Sequence, residues 1–191
     1  MAEAESKDKE KPAPPNPKFW EPAPWDHDLQ ALARRLAKPH GPCTADELKV
    51  VAWGPKQVEG YIDVPAAKIL DVCRTLRDDA ECRYDIAMCI SGVDYSNDDP
   101  QLAVIYHVLS IEKNRRAQIR TWVPKSDPTL DTVESIWPAA NWHERETYDL
   151  VGIVFRNHSD LRRILCPEDW VGFPLRKNYE FPKEYHGISC V

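Results

Sequence analysis

The sequence predicts an α+β domain, a mixed and largely antiparallel sheet with helices packed on one face, followed by an extended C-terminal arm. Three observations carry this. A helical period of apolar residues runs over 66–77. Three apolar, β-compatible runs follow at 84–93, 102–111 and 117–123. Beyond Cys166 the periodicity stops, yet aromatic residues continue to the end of the chain.

With 191 residues the chain has room for one domain, expected over 26–166, between two tails. Residues 1–25 mix Lys and Glu with Pro12, Pro14, Pro15, Pro17, Pro22 and Pro24 and bury too little apolar surface to offset their ordering entropy. An extended or disordered tail is expected there, with Trp20 and Trp25 near its end. A helix follows over 28–38, stopped by Pro39 and Gly41. Asp63 is expected to cap the next helix and Pro65 to sit in its first turn, with Ala66, Ile69, Leu70, Cys73 and Leu76 on one face.

The run 84–93 reads as a buried strand closed by Asp94 and the turn-rich SNDDP at 96–100. Residues 102–111 and the alternating Ala117, Ile119, Thr121 and Val123 form a hairpin about the polar EKNR turn. Residues 132–152 are expected to be helical in two pieces, because Pro138 interrupts them, with Gly152 as the C-cap. Short edge strands are expected at 153–155 and 161–165.

Composition narrows the function. With 42% hydrophobic and 29% charged residues the chain reads as globular and soluble, and no apolar run approaches the roughly 18 residues of a membrane span. The net charge is -6 and basic residues come only in pairs, so no stripe is available to neutralise many phosphates. The N-terminus lacks an apolar secretory core. Six cysteines occur without any C-x-x-C pair, so zinc-ribbon and ferredoxin spacings are both missing.

The densest polar stretch is NWHERETYDLVG at 141–152. It resembles a zinc-protease helix, but the second imidazole that zinc needs one turn after His143 is replaced by Thr147. On a helix Arg145 and Asp149 are placed for an i, i+4 pair, whereas Glu144 and Glu146 project about 200° apart and cannot flank one bond. These charges are therefore expected on a solvated or ion-paired face. His158 with Asp160, Arg162 and Arg163 is the second polar cluster, without the Gly-rich loop that a phosphate site requires. Arg162 or Arg163 is instead expected to fork onto Glu144, Glu146 or Asp149. The segment 167–191 carries Trp170, Phe173, Tyr179, Phe181 and Tyr185, anchors to be laid on the domain itself or on a partner protein.

Together the blocks IWPAANWHERETYDLVGIVF and HSDLRRILCPEDWVGFPLRKNY, with SGVDY and VIYHVLSIEKN upstream, resemble the 30-kilodalton-subunit family of respiratory complex I, the C-type subunit of the bacterial NADH-quinone oxidoreductase. The resemblance covers roughly residues 60–187. It implies a non-catalytic scaffold subunit of the peripheral arm, itself without flavin, iron-sulfur cluster or metal, docked on the large 49-kilodalton-type quinone-site subunit at the cytoplasmic face of the membrane. On that basis Trp142, Glu144, Arg145, Glu146, Asp149, His158, Arg162, Arg163, Asp169, Trp170, Pro174, Leu175, Arg176 and Lys177 are structural or interface positions, none catalytic. The homologous subunit of a membrane-bound hydrogenase or photosynthetic dehydrogenase is the alternative.

The chain departs from the family pattern in four places. Leu150-Val151-Gly152 stands for Met-Phe-Gly, and Asn157-His158-Ser159 for Gly-His-Pro. Phe173 replaces a His, and Asn178 an Asp. The last two changes remove titratable groups, so no proton-handling role is expected at those positions.

Overall fold

The computed structural model describes residues 29–38, 41–51 and 60–190. Helix α1, Leu29–Leu36, turns Leu29, Leu32, Ala33 and Leu36 inward at helical spacing. Helix α2, Ile69–Asp78, does the same with Ile69, Val72, Cys73 and Leu76. A short 3-10 turn, Ala66–Lys68, precedes α2. The expected tail over residues 1–25, with Trp20 and Trp25, lies outside the described residues.

Five strands form the main sheet: β1, Lys49–Val51; β2, Tyr61–Asp63; β3, Ile86–Val93; β4, Gln101–Ser110; and β5, Arg115–Pro124, in the order β1-β2-β5-β4-β3. Every neighbouring pair is antiparallel except β2 and β5, which run parallel with Ile62 opposite Ile119 and Asp63 opposite Arg120. The β4–β5 hairpin turns where expected, with Asn114 at φ 49°, a left-handed position that Asn tolerates. Alternation along β4 and β5 sends Leu102, Val104, Tyr106, Val108, Ala117, Ile119 and Val123 into the core.

Helix α3, Ala140–Val151, packs on β3. Gly92 permits the approach, since a Cβ there would stand 2.7 Å from Thr147 Cγ2 and 3.3 Å from Val151 Cβ. Strands β6, Thr129–Asp131, and β7, Val154–Arg156, form a separate parallel pair that brings residues 132–134 beside 157–159. The mixed sheet with helices on one face is thus as expected.

Several local expectations differ. Asp63 lies in β2 and holds Arg120 rather than capping a helix. The 132–152 helix forms only from Ala140, because Trp137, Pro138 and Ala139 supply turns whose carbonyls accept from Ala140, Asn141 and Trp142. No strand forms at 161–165, where the backbone is drawn instead onto Asp149. The C-terminal segment is folded back on the domain and ends in a hairpin of β8, Glu184–Tyr185, with β9, Ile188–Ser189.

Candidate docking surface and its internal clasp

Helix α3 carries the polar stretch, and three of its charges are not on a solvated face. Glu144, Arg145 and Asp149 are buried, while Trp142 stays 62% exposed and Glu146 is exposed. The expected Arg145–Asp149 pair does not form. Each side chain is claimed by a segment distant in sequence.

Asp149 is the centre of the arrangement. One carboxylate oxygen accepts the backbone N–H groups of Ile164, Leu165 and Cys166 at 3.0, 2.7 and 2.8 Å, and the other accepts from Arg163 at 2.7 Å. Burial alone would raise its pKa. The Cys166 N–H, the Arg163 guanidinium and the Ile164 and Leu165 N–H groups outweigh burial and hold the carboxyl at about 2.

Arg163 forks as its geometry allows, though not bidentately onto one carboxylate. It donates to the Asp149 side chain and carbonyl, and through its other nitrogen to the carbonyls of Trp170 and Gly172 at 2.9 and 3.0 Å. One guanidinium therefore ties helix α3 to the start of the arm. Arg145 donates to the carbonyls of Arg162 and Arg163 and stacks over Trp142 at 5.3 Å. Arg162 does not reach a carboxylate of α3; it pairs with exposed Asp160.

The arm is latched at three further points. Leu175 N donates to Leu150 O, Arg176 to Val151 O at 2.7 Å, and Lys177 N to Asp94, whose carboxylate also pairs with Lys125 at 2.8 Å. Gly152, at φ 76°, lies under the Phe173 ring, where any Cβ would come within 2.6 Å of three ring carbons. The guanidinium carbons of Arg163 and Arg176 lie 5.6 and 5.0 Å from that ring's centre. Phe173 thus fills a cationic slot by its π-face, with no titratable group needed. Pro174 is half-buried beside it.

Farther out, Trp170 packs with Tyr185 and Phe181, and Asp169 accepts from Tyr185 Oη and His186 at 2.7 Å each. Val171, Leu175, Phe181 and Ile188 remain 84%, 56%, 65% and 68% exposed, as does Leu165 at 63%. The clasp therefore holds the arm's backbone in place while leaving apolar side chains outward, the composition of a protein-binding surface.

Behind α3 lies a buried polar cluster that local sequence did not mark. Glu144 accepts from Thr132 Oγ1 and, at 2.8 Å, from Val133 N. His158 has no exposed side-chain surface; its Nδ1 accepts from Asp160 N, which leaves Nε2 to donate to Asn141 O. Glu134 accepts from Asn141 and Ser159. Burial pushes the Glu144 carboxyl up to about 7, against the lowering effect of its two donors. Glu144 and Glu146 do not face a common space, and His158 joins the α3 cluster rather than Arg162 and Arg163. The signal for this cluster is the β6–β7 pairing, which is not local.

The family model for the respiratory-chain NADH dehydrogenase 30 Kd subunit matches residues 62–185. The chain belongs to this family.

Relatives agree, each of them the C-type subunit of an NADH-quinone oxidoreductase. That of Mycobacteroides abscessus is 38% identical over 171 residues, 87% of this chain and 74% of that protein. That of Geotalea uraniireducens is 44% identical over 126 residues, covering 65% and 76%. That of Chloroherpeton thalassium is 45% identical over 115 residues, which are 60% of this chain but only 47% of that protein. Among solved structures, a trypsin-resistant fragment of Nqo5 is 28% identical with a TM-score of 0.51, covering 71% of this chain and 98% of the fragment. A chain of an archaeal membrane-bound sulfane sulfur reductase has a TM-score of 0.62 at 21% identity, covering 81% of this chain and 85% of that one, and shares the fold.

Within the 30-kilodalton-subunit match fall α3, the clasp and the arm as far as Tyr185. The family positions Glu144, Arg145, Asp149, His158, Arg163, Trp170, Arg176 and Lys177 are among those the structure gathers into internal contacts. Trp142, Glu146 and Leu175 have exposed side chains, and Asp169 is exposed while holding Tyr185 and His186. Asn157, where the family pattern has Gly, adopts φ 62°, the left-handed backbone that Asn supports through its short polar side chain.

Proposed function

We propose that this chain is a non-catalytic scaffold subunit of the peripheral arm of a proton-translocating NADH:quinone oxidoreductase, and that its C-terminal arm docks on the large quinone-site subunit. In this reading NADH oxidation and quinone reduction belong to the assembly. Partner subunits carry the flavin and iron-sulfur clusters, and this chain sits peripherally at the cytoplasmic face of the membrane. The observation that carries the reading is the clasped arm of a 30-kilodalton-family chain: its backbone is fixed by Arg163, Arg176 and Asp94, and its apolar side chains are turned outward. Pre-ordering of this kind lowers the entropic cost of association. No described helix is long and apolar enough to cross a membrane.

The test is to tag the chain in its native host, solubilise membranes in mild detergent, and measure the mass and NADH-to-quinone activity of what co-purifies. A large, NADH-active particle is expected. A large particle with another electron donor would assign the chain to a related hydrogenase or dehydrogenase complex, and a free monomer would overturn the scaffold role.

A further inference from the structure

The main sheet ends in two unlike rims. One is β1, which carries exposed Lys49, a charge of the kind that keeps an edge strand from pairing with other chains. The other is β3, and among the described residues no strand pairs with its outer side. Its sequence, IAMCISGV, holds neither a charge nor a proline. A bulge between Ala87 and Cys89 disturbs only its first half, and from Cys89 to Val93 the register against β4 is regular. Every second residue of an antiparallel edge strand turns its N–H and C=O away from its neighbour, so the stretch 89–93 offers a backbone ladder to a further strand.

Helix α3 packs on β3 and so lies along this rim rather than over the middle of the sheet. Helix and strand do not close completely on each other. A groove of about 80 Å³ is left between them, with Ile90 and Gly92 on one wall, Glu146, Thr147 and Leu150 on the other, and Leu175 of the arm completing it. Cofactor pockets begin at roughly 300 Å³, whereas this groove has room for one small aliphatic side chain. Strand addition uses these two parts together: main-chain hydrogen bonds along an open edge supply affinity, and a pocket for an alternate side chain supplies specificity.

Charge and continuity define the occupant. Glu146 is exposed and is the one charged residue in the groove lining, and among the described residues no cation pairs with it. A lysine or arginine on the added strand is its complement. β3 carries neither, so a second copy of this chain paired edge to edge would leave both Glu146 carboxylates unanswered. Leu175 belongs to the arm, and its exposed side chain makes the groove continuous with the surface assigned above to a partner subunit.

We propose that β3 is the acceptor edge for an added strand, an extended segment of the subunit on which the arm docks. That segment carries an aliphatic residue for the groove between β3 and α3 and a lysine or arginine for Glu146. The proposal rests on the scaffold reading and adds to it a second contact, made backbone to backbone.

Hydrogen–deuterium exchange of the full chain, isolated and within the co-purified particle, tests this. The outward amides of 89–93 should exchange about tenfold more slowly in the particle. Glu146→Lys, a change at an exposed position, should remove most of that protection while the arm at 167–177 stays protected and the unfolding transition is unchanged. Benzoylphenylalanine at position 146 should crosslink, within the particle, to an extended segment of another protein chain that has a Lys or Arg beside the linked residue. An arm protected in the particle with 89–93 exchanging as in the isolated chain overturns strand addition and leaves the scaffold reading standing. A chain that enters no particle overturns both. Crosslinks only within this chain or to a second copy overturn the proposed occupant, and protection indifferent to Glu146→Lys overturns its basic residue. If that variant unfolds, exchange in the unaltered chain and the crosslink decide.

Discussion

At the scale of single residues, the two buried carboxylates of α3 are opposites. Asp149 meets one guanidinium and three backbone N–H donors, whereas Glu144 meets two neutral donors in a drier place. Replacing Asp149 with Asn removes the charge that answers Arg163 and leaves a single acceptor oxygen, which cannot serve both the guanidinium and the three N–H groups. We expect a loss of about 3–5 kcal/mol in urea unfolding, the range for breaking a buried ion pair. Glu144→Ala leaves Thr132 and Val133 N without their acceptor and should cost about 2–3 kcal/mol, while Glu144→Gln keeps an oxygen for Val133 and should be close to neutral at pH 5, where Glu144 is itself uncharged. If Ala and Gln unfold at the same urea concentration, the hydrogen bonds are not what Glu144 contributes.

At the scale of elements, the arm is attached to the domain without belonging to its core. Buried core residues run from Leu29 to Phe155, and the arm's contacts are backbone latches and a half-exposed aromatic group. Removing residues 167–191 should therefore leave a folded domain with its unfolding transition intact, while weakening its docking on the proposed partner subunit. Failure of the truncated chain to fold would make the arm a structural part of the domain. Gly152→Ala is the sharper probe, because a Cβ at φ 76° meets the Phe173 ring. Limited proteolysis should then cut within 167–177 several times faster, with the sheet unaffected. Arg163→Lys should act in the same direction, since an ammonium cannot span Asp149, Trp170 and Gly172 at once.

At the scale of the whole molecule, those carboxylates give stability a pH optimum on the acid side of neutral. Glu144, ordinarily near 4.5, is raised to about 7, so its penalty is absent below its unfolded pKa and grows as pH rises through 7; the shift corresponds to about 3 kcal/mol. Asp149 is depressed to about 2, so its contribution of about 2 kcal/mol is present above its unfolded pKa near 4 and is lost as pH falls toward 2. Thermal unfolding should show the highest Tm near pH 4–5, and Glu144→Gln should flatten only the branch between pH 5 and 8. A Tm that rises across that branch would contradict the burial of Glu144.

The helical stripe of α2 and the alternation of β4 and β5 were legible in the sequence because their periods are local and each repeats for several turns or residue pairs. The family blocks were legible for the same reason, as contiguous strings. What surrounds the α3 charges was not. Asp149 is bound by residues 14 to 17 positions away, Glu144 by residues 11 and 12 positions back, and Asp63 by Arg120, 57 positions on. Helical spacing offers Asp149 a partner in Arg145, and that pair loses to three backbone donors and a guanidinium delivered by a loop. Burial reverses the reading of a charge: the pattern 141–152 looks like a solvated face until the β6–β7 pair and the loop at 161–166 close over it. Which strings make helices and strands follows from local spacing, whereas which charges are hidden, and what they hold, is decided only when distant segments displace water from the same few ångströms.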